Sequence, residues 1–368
     1  MITRLYAHNF RCYQNFSFDL TDKHAALIIG KNGSGKSTCL HVLFVLQRIA
    51  RGTSRLKDLI SSADFCRFIS SQKPTSTPQI RFEVDLQLKD RKYSYVLALE
   101  MPESFREVRV VEESLSVDGT AVFTRKLAQV TLRATASFNV DWHIIALTVI
   151  NERPPGNAIQ TVRDFLASTI LLTPEPSRMT GYSDVAELQI DVTASNIAST
   201  LRALLEQKPA AYSVLDKHIR ERIADFSSLE FTERGESGKQ LIVKFDRTEP
   251  LDFSMLSSGE KCFALAAVIL AVQDKIGSVF CMWDEPDNHL ALTEVNQFVA
   301  GLRKIASRGE AQLIVTSHNP EAIRAFSDEN TFVFLRPTHD TPTQVRRLGS
   351  FQYTGSLVDA LIEDELIG

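Results

Sequence analysis

The chain has 368 residues, 44% of them hydrophobic and 23% charged, with a net charge of −4 and a pI near 6.1. That length can bury a large core as one elaborated domain or as two, and the balance excludes a polycation, so any nucleic-acid contact has to come from a local patch. Five cysteines, Cys12, Cys39, Cys66, Cys262 and Cys281, are scattered without C-x-x-C spacing, which argues against a zinc site and a disulfide framework and for a reducing cytoplasm.

Residues Ile2 to Asn9 and Asn15 to Leu20 alternate apolar and polar side chains, which predicts two short strands with a turn at Arg11 to Gln14. The opening carries Arg4, His8, Asn9 and Arg11 and no apolar signal core, so no secretory segment is expected. Ala25 to Ile29 is an apolar run that ends at a glycine, as a buried strand would. The nonapeptide that follows, Gly30-Lys31-Asn32-Gly33-Ser34-Gly35-Lys36-Ser37-Thr38, fits the phosphate-binding pattern G-x-x-x-x-G-K-[ST]. Glycines let such a loop turn its N–H groups around phosphate oxygens; Lys36 adds charge for the β and γ phosphates, and Ser37 a hydroxyl for Mg²⁺. Leu40, Leu43, Phe44, Val45 and Leu46 recur at helical spacing, so the phosphates would sit at a helix N-terminus.

A second helix is expected from Arg55 to Ile69, then a Ser/Thr/Pro-rich linker at Ser70 to Pro78. Beyond it the period becomes two, through Ile80, Phe82, Val84, Leu86 and Leu88 and then Tyr93, Tyr95, Leu97 and Leu99. These read as antiparallel strands turning at Asp90 and Arg91, followed by a hairpin around Asp118-Gly119. The turn residues Lys89, Arg91 and Lys92 read as a solvated turn. From Thr161 the pattern is helical, broken by a strand at Thr169 to Leu172 and the loop Thr173 to Met179. Helices are expected at Ala194–Glu206 and Ala210–Ala224, and strands at Leu229–Phe231 and Leu241–Phe245. No heptad repeat persists, which excludes a long coiled-coil arm.

Leu256-Ser257-Ser258-Gly259-Glu260-Lys261 opens the longest apolar stretch, Phe263 to Val272, which is too short to span a bilayer and reads as a buried helix. Ser278 to Trp283 is an apolar strand ending in Asp284-Glu285-Pro286, the expected partner of a phosphate loop: Asp284 for Mg²⁺, Glu285 as general base. A further apolar strand, Gln312 to Thr316, ends in Ser317-His318-Asn319 and brings a histidine to the same kind of strand end.

Taken together, these residues resemble the ATP-binding-cassette ATPases, over roughly Ile2 to Asn9, Ala25 to Ile49 and Leu251 to Leu335. Asn9-Phe10-Arg11-Cys12-Tyr13, Leu-Ser-Ser-Gly-Glu and Asp-Glu-Pro-Asp-Asn-His-Leu look like the clade of RecF, SMC-type and OLD-type ATPases. Leu171 to Arg178, and Asn196 with Leu201 and Leu204, are similar to stand-alone members found in bacterial anti-phage systems. The resemblance implies a P-loop α/β fold: a mostly parallel core sheet flanked by helices, an antiparallel β subdomain and a helical lid insertion. It divides the chain into core at 1–70, β subdomain at 79–150, lid at 151–250, core at 251–348 and a tail at 349–368. It also implies an ATP cradle at Gly30, Lys31, Asn32, Gly33, Ser34, Gly35, Lys36, Ser37 and Thr38. Mg²⁺ falls to Ser37 and Asp284, catalysis to Glu285 and His318. Ser257 and Gly259 would act on ATP held by a second subunit. Two departures stand out: Glu175 where the family often has a glutamine, and Ala291 where transporters carry an aspartate.

The expected function is an ATP-hydrolysing, dimerising switch that controls a separately encoded effector, in anti-phage defence. A RecF-like repair clamp with DNA as ligand is the alternative, and a transporter subunit fits less well, with no membrane partner expected. An OLD-type nuclease would need a second acidic-cluster domain after the ATPase, and the roughly fifty residues after His318 read as too short for it. The acidic amphipathic segment at Leu357, Val358, Leu361, Ile362, Leu366 and Ile367 reads as a terminal helix folded on its own core or as a partner-docking element.

Overall fold

A computed structural model describes residues 1–66, 68, 78–102, 107–133, 135–151, 157–277, 279–306, 311–326 and 328–351. The linker expected at 70–78, all but its last residue, and the amphipathic segment at 357–367 lie outside the described residues. Backbone contacts divide the chain into two compact units, Met1–Lys23 with Ile28–Thr169 and Asp328–Gly368, and His24–Leu27 with Ile170–Ser327. The strand Ala25–Ile29 therefore belongs by its first three residues to the second unit and by its last two to the first.

In the first unit, eight strands form one antiparallel sheet, in the order Phe16–Asp19, Ile2–His8, Gln79–Leu88, Arg91–Glu100, Arg109–Val117, Thr120–Lys126, Gln129–Leu132 and Ala136–Asn139. Their alternation sends Ile80, Phe82, Val84 and Leu86 inward, with Tyr95, Leu97 and Leu99. At Asp118-Gly119 both residues take positive φ, 50° and 79°, as the two-residue hairpin turn demands. Asp118 then fastens the neighbouring hairpin by accepting from Lys92 N at 2.9 Å and Arg91 Nε at 3.0 Å.

The sheet carries one buried ion pair that alternation does not reveal. Glu113 and Arg125 are 0% and 1% exposed, with Arg125 Nη1 3.4 Å from Glu113 Oε2. The Glu113 carboxyl also accepts from Ala146 N and Leu147 N, each at 2.7 Å, and from the Tyr95 hydroxyl at 3.0 Å. Arg125 gives its remaining donors to the carbonyls of Leu127, Ile144 and Asp141. Burial pushes the Glu113 carboxyl up and the Arg125 guanidinium down, against the partners that hold the charged forms.

The helix Lys36–Ala50 follows the glycine-rich loop and ends at Gly52, whose φ of 99° closes the turn. Gln47 Nε2 donates to Thr169 O at 2.6 Å and Arg51 Nε to Ala167 O at 3.0 Å, tying this helix to the end of the helix Ala158–Ala167. Over the described part of the helix expected at Arg55–Ile69, residues 55–66 and 68, no α-helix forms; two single 3₁₀ turns, Leu56–Asp58 and Ser62–Asp64, stand there instead. Ser61 and Asp64 close a reciprocal cap, and Arg11 N donates to Asp64 O at 2.7 Å while Phe65 bridges Phe10. These contacts hold the segment extended against residues 9–13 and stop a helix from propagating.

In the second unit, Ile170–Leu172, Phe280–Trp283 and Gln312–Thr316 are parallel neighbours, and Leu313 N donates to His24 O at 2.8 Å at the base of the strand Ala25–Ile29. All three strands are buried throughout, the pattern of a parallel sheet covered on both faces. The helix Ser258–Lys275 packs on the helices Ala211–Arg220 and Leu292–Ala306, and a small antiparallel sheet is built from Tyr182–Ser183, Gly238–Phe245, Phe226–Arg234 and Leu251–Asp252. Among the described residues no helix is long and apolar enough to cross a membrane.

Candidate functional site

The loop from Gly30 to Ser37 lies in the first unit and is held in one conformation by sterics and by hydrogen bonds to its carbonyls. Gly30 and Gly35 take φ of 150° and 103°, and a Cβ would fall 2.4 Å from Phe334 O at the first and 2.7 Å from Thr343 Oγ1 at the second. A side chain is excluded at both positions by backbone conformation and by space. Lys36, 6% exposed, donates from Nζ to Gly30 O at 2.8 Å and Lys31 O at 3.3 Å. Arg336 Nη1 holds Gly33 O at 3.2 Å, Thr343 Oγ1 holds Ser34 O at 2.8 Å, and the Tyr13 hydroxyl holds Gly35 O at 2.6 Å. Five loop carbonyls are thus occupied by side-chain donors, the arrangement that suits an anion on the N–H side of a loop. Ser34 Oγ, inside the same loop, is buried and has no hydrogen-bond partner among the described residues. The cradle a Cβ would fill, the occupied carbonyls and the orphan hydroxyl fit a triphosphate.

The two acids and the histidine lie together in the second unit. Asp284 and Glu285 follow the strand Phe280–Trp283, and Thr316, the last residue of the adjacent strand, serves both: its Oγ1 donates to Asp284 Oδ1 and accepts from Glu285 N at 2.9 Å. Glu285 has φ of 49°, an uncommon conformation for a non-glycine residue that this bond helps to hold. His318 Nε2 lies 3.3 Å from Glu285 Oε1, and Asn288 Nδ2 donates to Glu285 Oε2 at 2.6 Å. Both carboxylate oxygens are therefore oriented, by groups 33 and three residues away in sequence. Asp287, buried beside them, accepts from Ser317 Oγ at 2.9 Å. Burial pushes its carboxyl up, the Ser317 bond opposes this, and the charge of Glu285 adds to the rise. Asp287 and Asn288 stand in the stretch Asp-Glu-Pro-Asp-Asn-His-Leu that carries the resemblance but have no role assigned from it, and nothing in the sequence marks Thr316, a threonine at a strand end, as shared by two acids.

Ser257 caps the helix Ser258–Lys275: Glu260 N donates to its Oγ at 3.3 Å, and its own N donates to Glu260 Oε2 at 2.8 Å. A Cβ on Gly259 would come to 3.3 Å from His289 O, so the glycine lets the turn after the acids pack on the helix start. Ser257 and Gly259 line a cleft of about 620 Å³ with Arg222, Asp225, His289 and Glu294. Each group of site residues is thus assembled within its own unit: the loop in the first, the acids, the histidine and the helix start in the second.

A glycine-rich loop leading into a helix, with acids closing a strand of a parallel sheet, defines an ABC-type P-loop ATPase fold. The model of the RecF/RecN/SMC N terminal domain family matches residues 1–340, and the chain belongs to that family. It is 28% identical over 134 residues to the Chromosome partition protein Smc of Rhodopseudomonas palustris, which is 34% of this chain but 12% of that protein's length. Its fold is similar to that of an SMC head solved with the C-winged helix domain of ScpA, with a TM-score of 0.58 and 17% identity over 94% of this chain and 96% of that one. An SMC head domain from Thermotoga maritima aligns with a TM-score of 0.51 and 15% identity, over 94% and 98% of the two chains. A third, an SMC head with an extended coiled coil bound to the C-terminal domain of ScpA, derived from Pyrococcus furiosus, gives 0.54 and 16% over 100% and 99%.

Proposed function

We propose that this protein is a cytoplasmic ATPase that works as a nucleotide-driven switch: ATP closes two copies head to tail, hydrolysis releases them, and the pair controls a separately encoded effector in anti-phage defence. The observation that carries the hydrolytic part is the Glu285 carboxylate, held between Asn288 and His318 at the end of the strand before it. When bound, ATP supplies the phosphoanhydride and Mg²⁺ offsets its charge. In this reading Gly30 to Thr38 wrap the phosphates, with Lys36 adding a cation. Ser37 and Asp284 offer the hard oxygen donors that Mg²⁺ takes. Glu285 accepts the proton of the attacking water, and His318 orients that carboxylate.

Pairing is read from Ser257 and Gly259, which border an open cleft with no catalytic acid of the strand ends among its lining residues. In a two-fold pair each such cleft faces the nucleotide of the other copy. Ser257→Arg fills the cleft and should leave ATP affinity within about threefold while abolishing the ATP-dependent increase in mass measured by light scattering. An ATP-dependent pair that survives this change would remove the head-to-tail arrangement.

A second reading, a DNA-acting ATPase, is favoured by the 28% identity with a chromosome partition protein. It requires ATP turnover to rise when duplex DNA is added, and turnover indifferent to DNA at low salt would exclude it.

A further inference from the structure

Three consecutive carbonyls of the glycine-rich loop are held from outside the loop, each by a different side chain. Gly33 O takes Arg336 Nη1 at 3.2 Å, Ser34 O takes Thr343 Oγ1 at 2.8 Å, and Gly35 O, which the helix start also holds through Thr38 N at 3.0 Å and Cys39 N at 3.3 Å, takes the Tyr13 hydroxyl at 2.6 Å. The donors come from two segments, residues 13 and 336–343, more than 300 positions apart in the chain and none of them part of the phosphate-binding pattern.

Each donor is itself fixed. Arg336 spends its other nitrogens on Thr341 O at 3.0 Å and His339 O at 2.6 Å, which closes the 336–341 turn around the guanidinium. Thr343 N donates to Cys12 O at 3.0 Å, so this residue joins the loop to the segment beside Tyr13. Tyr13 is fully buried and stacks on Phe16 with ring centroids 3.7 Å apart, and Phe16 packs edge-on to Phe334 at 5.4 Å, in the strand that leads to Arg336. The loop's back is thus one connected assembly of aromatic packing and hydrogen bonds, all within the first unit.

We propose that Tyr13, Arg336 and Thr343 are positioning residues for nucleotide binding. They hold the carbonyls of Gly33 and Ser34, and together with the helix start that of Gly35, away from the space the phosphates would enter, so the loop meets its ligand already shaped. A loop free to rotate these peptides would point carbonyl oxygens at the triphosphate in part of its ensemble, and that fraction would have to be reorganised on binding. Because the three side chains act through loop carbonyls, their contribution is expected to be the same in the ground state and in the transition state, and so to belong to binding.

The inference rests on reading the loop as an ATP cradle, and the experiment separates the two. ATP affinity is measured by calorimetry and steady-state turnover by phosphate release, for the full chain and for Thr343→Val, Thr343→Ser and Tyr13→Phe. Each loss of one donor should raise Kd and KM for ATP about three- to tenfold, the range expected of one hydrogen bond, with kcat within about twofold; Thr343→Ser, which keeps the hydroxyl, should stay within twofold of wild type. Tyr13→Phe removes one oxygen and leaves the stacking intact, so it decides the matter if Thr343→Val lowers the melting temperature. Unchanged KM in Thr343→Val and Tyr13→Phe, or a fall in kcat at constant KM, would overturn the positioning role. A wild-type chain that binds no ATP would instead overturn the cradle itself.

Discussion

Replacing Glu285 by Gln is expected to lower ATP turnover by about a hundredfold to ten-thousandfold, the usual contribution of a positioned general base, while nucleotide affinity stays within a few-fold of wild type. Glutamine has nearly the same shape and keeps an oxygen for Asn288 Nδ2, now 2.6 Å from Glu285 Oε2. Its amide nitrogen then faces His318, whose Nε2 sits 3.3 Å from Oε1 and can accept a hydrogen bond in the other neutral tautomer. The strand end, including the left-handed backbone at position 285, is therefore preserved and only the proton acceptor is lost. With hydrolysis stopped, ATP should hold the pair closed, seen as a stable increase in mass that the wild type shows only transiently. Lys36→Ala is the opposite case. It removes the buried ammonium that holds Gly30 O and Lys31 O, so nucleotide binding itself should disappear. A Glu285→Gln variant that turns over ATP at the wild-type rate, or a Lys36→Ala variant with wild-type affinity, would withdraw the assigned roles.

Truncating Glu113 to Ala should destabilise the antiparallel sheet by about 3–5 kcal/mol, the penalty for breaking a buried pair by removing one partner. Arg125 would remain 1% exposed with no carboxylate beside it, and the N–H groups of Ala146 and Leu147 would lose their acceptor. With an unfolding entropy of roughly 2.1 cal/mol/K per residue over the whole chain, the change corresponds to a melting temperature lower by about 4–6 °C. Replacing both partners by Met should cost less than the single change, because no uncompensated charge stays inside. Thermal unfolding followed by circular dichroism gives the comparison. A single variant that melts within a degree or two of wild type would mean that the pair is solvated in solution.

Both effects arise from residues with different visibility in the sequence. The candidates Lys36, Ser37, Asp284, Glu285 and His318 stand out in the sequence because the chemistry proposed for them is tied to local spacing: a phosphate loop needs glycines at fixed offsets, and acids that close an apolar strand are conspicuous where burial of charge is costly. Glu113 and Arg125 do not, since a glutamate and an arginine in alternating strands read as outward-facing. Their burial depends on the segment 141–147, which covers that face of the sheet. The strands Gln129–Leu132, Ala136–Asn139 and Gln344–Arg347 also went unpredicted, being four residues long and without a sustained alternation. The helix expected at Arg55–Ile69 was overruled by contacts with Phe10 and Arg11, more than forty residues earlier.

The sequence by itself determined the glycine-rich loop, the order of the motifs and the change from period two to helical spacing, because each is decided by backbone sterics and solvent preference over a few residues. Only the tertiary structure decided which groups hold the motifs in place: Thr316 between the two acids, Asn288 and His318 on the two oxygens of Glu285, and Tyr13, Arg336 and Thr343 behind the loop. A hydrogen bond between side chains or carbonyls distant in sequence is fixed by strand order and register, and neither leaves a mark in local composition.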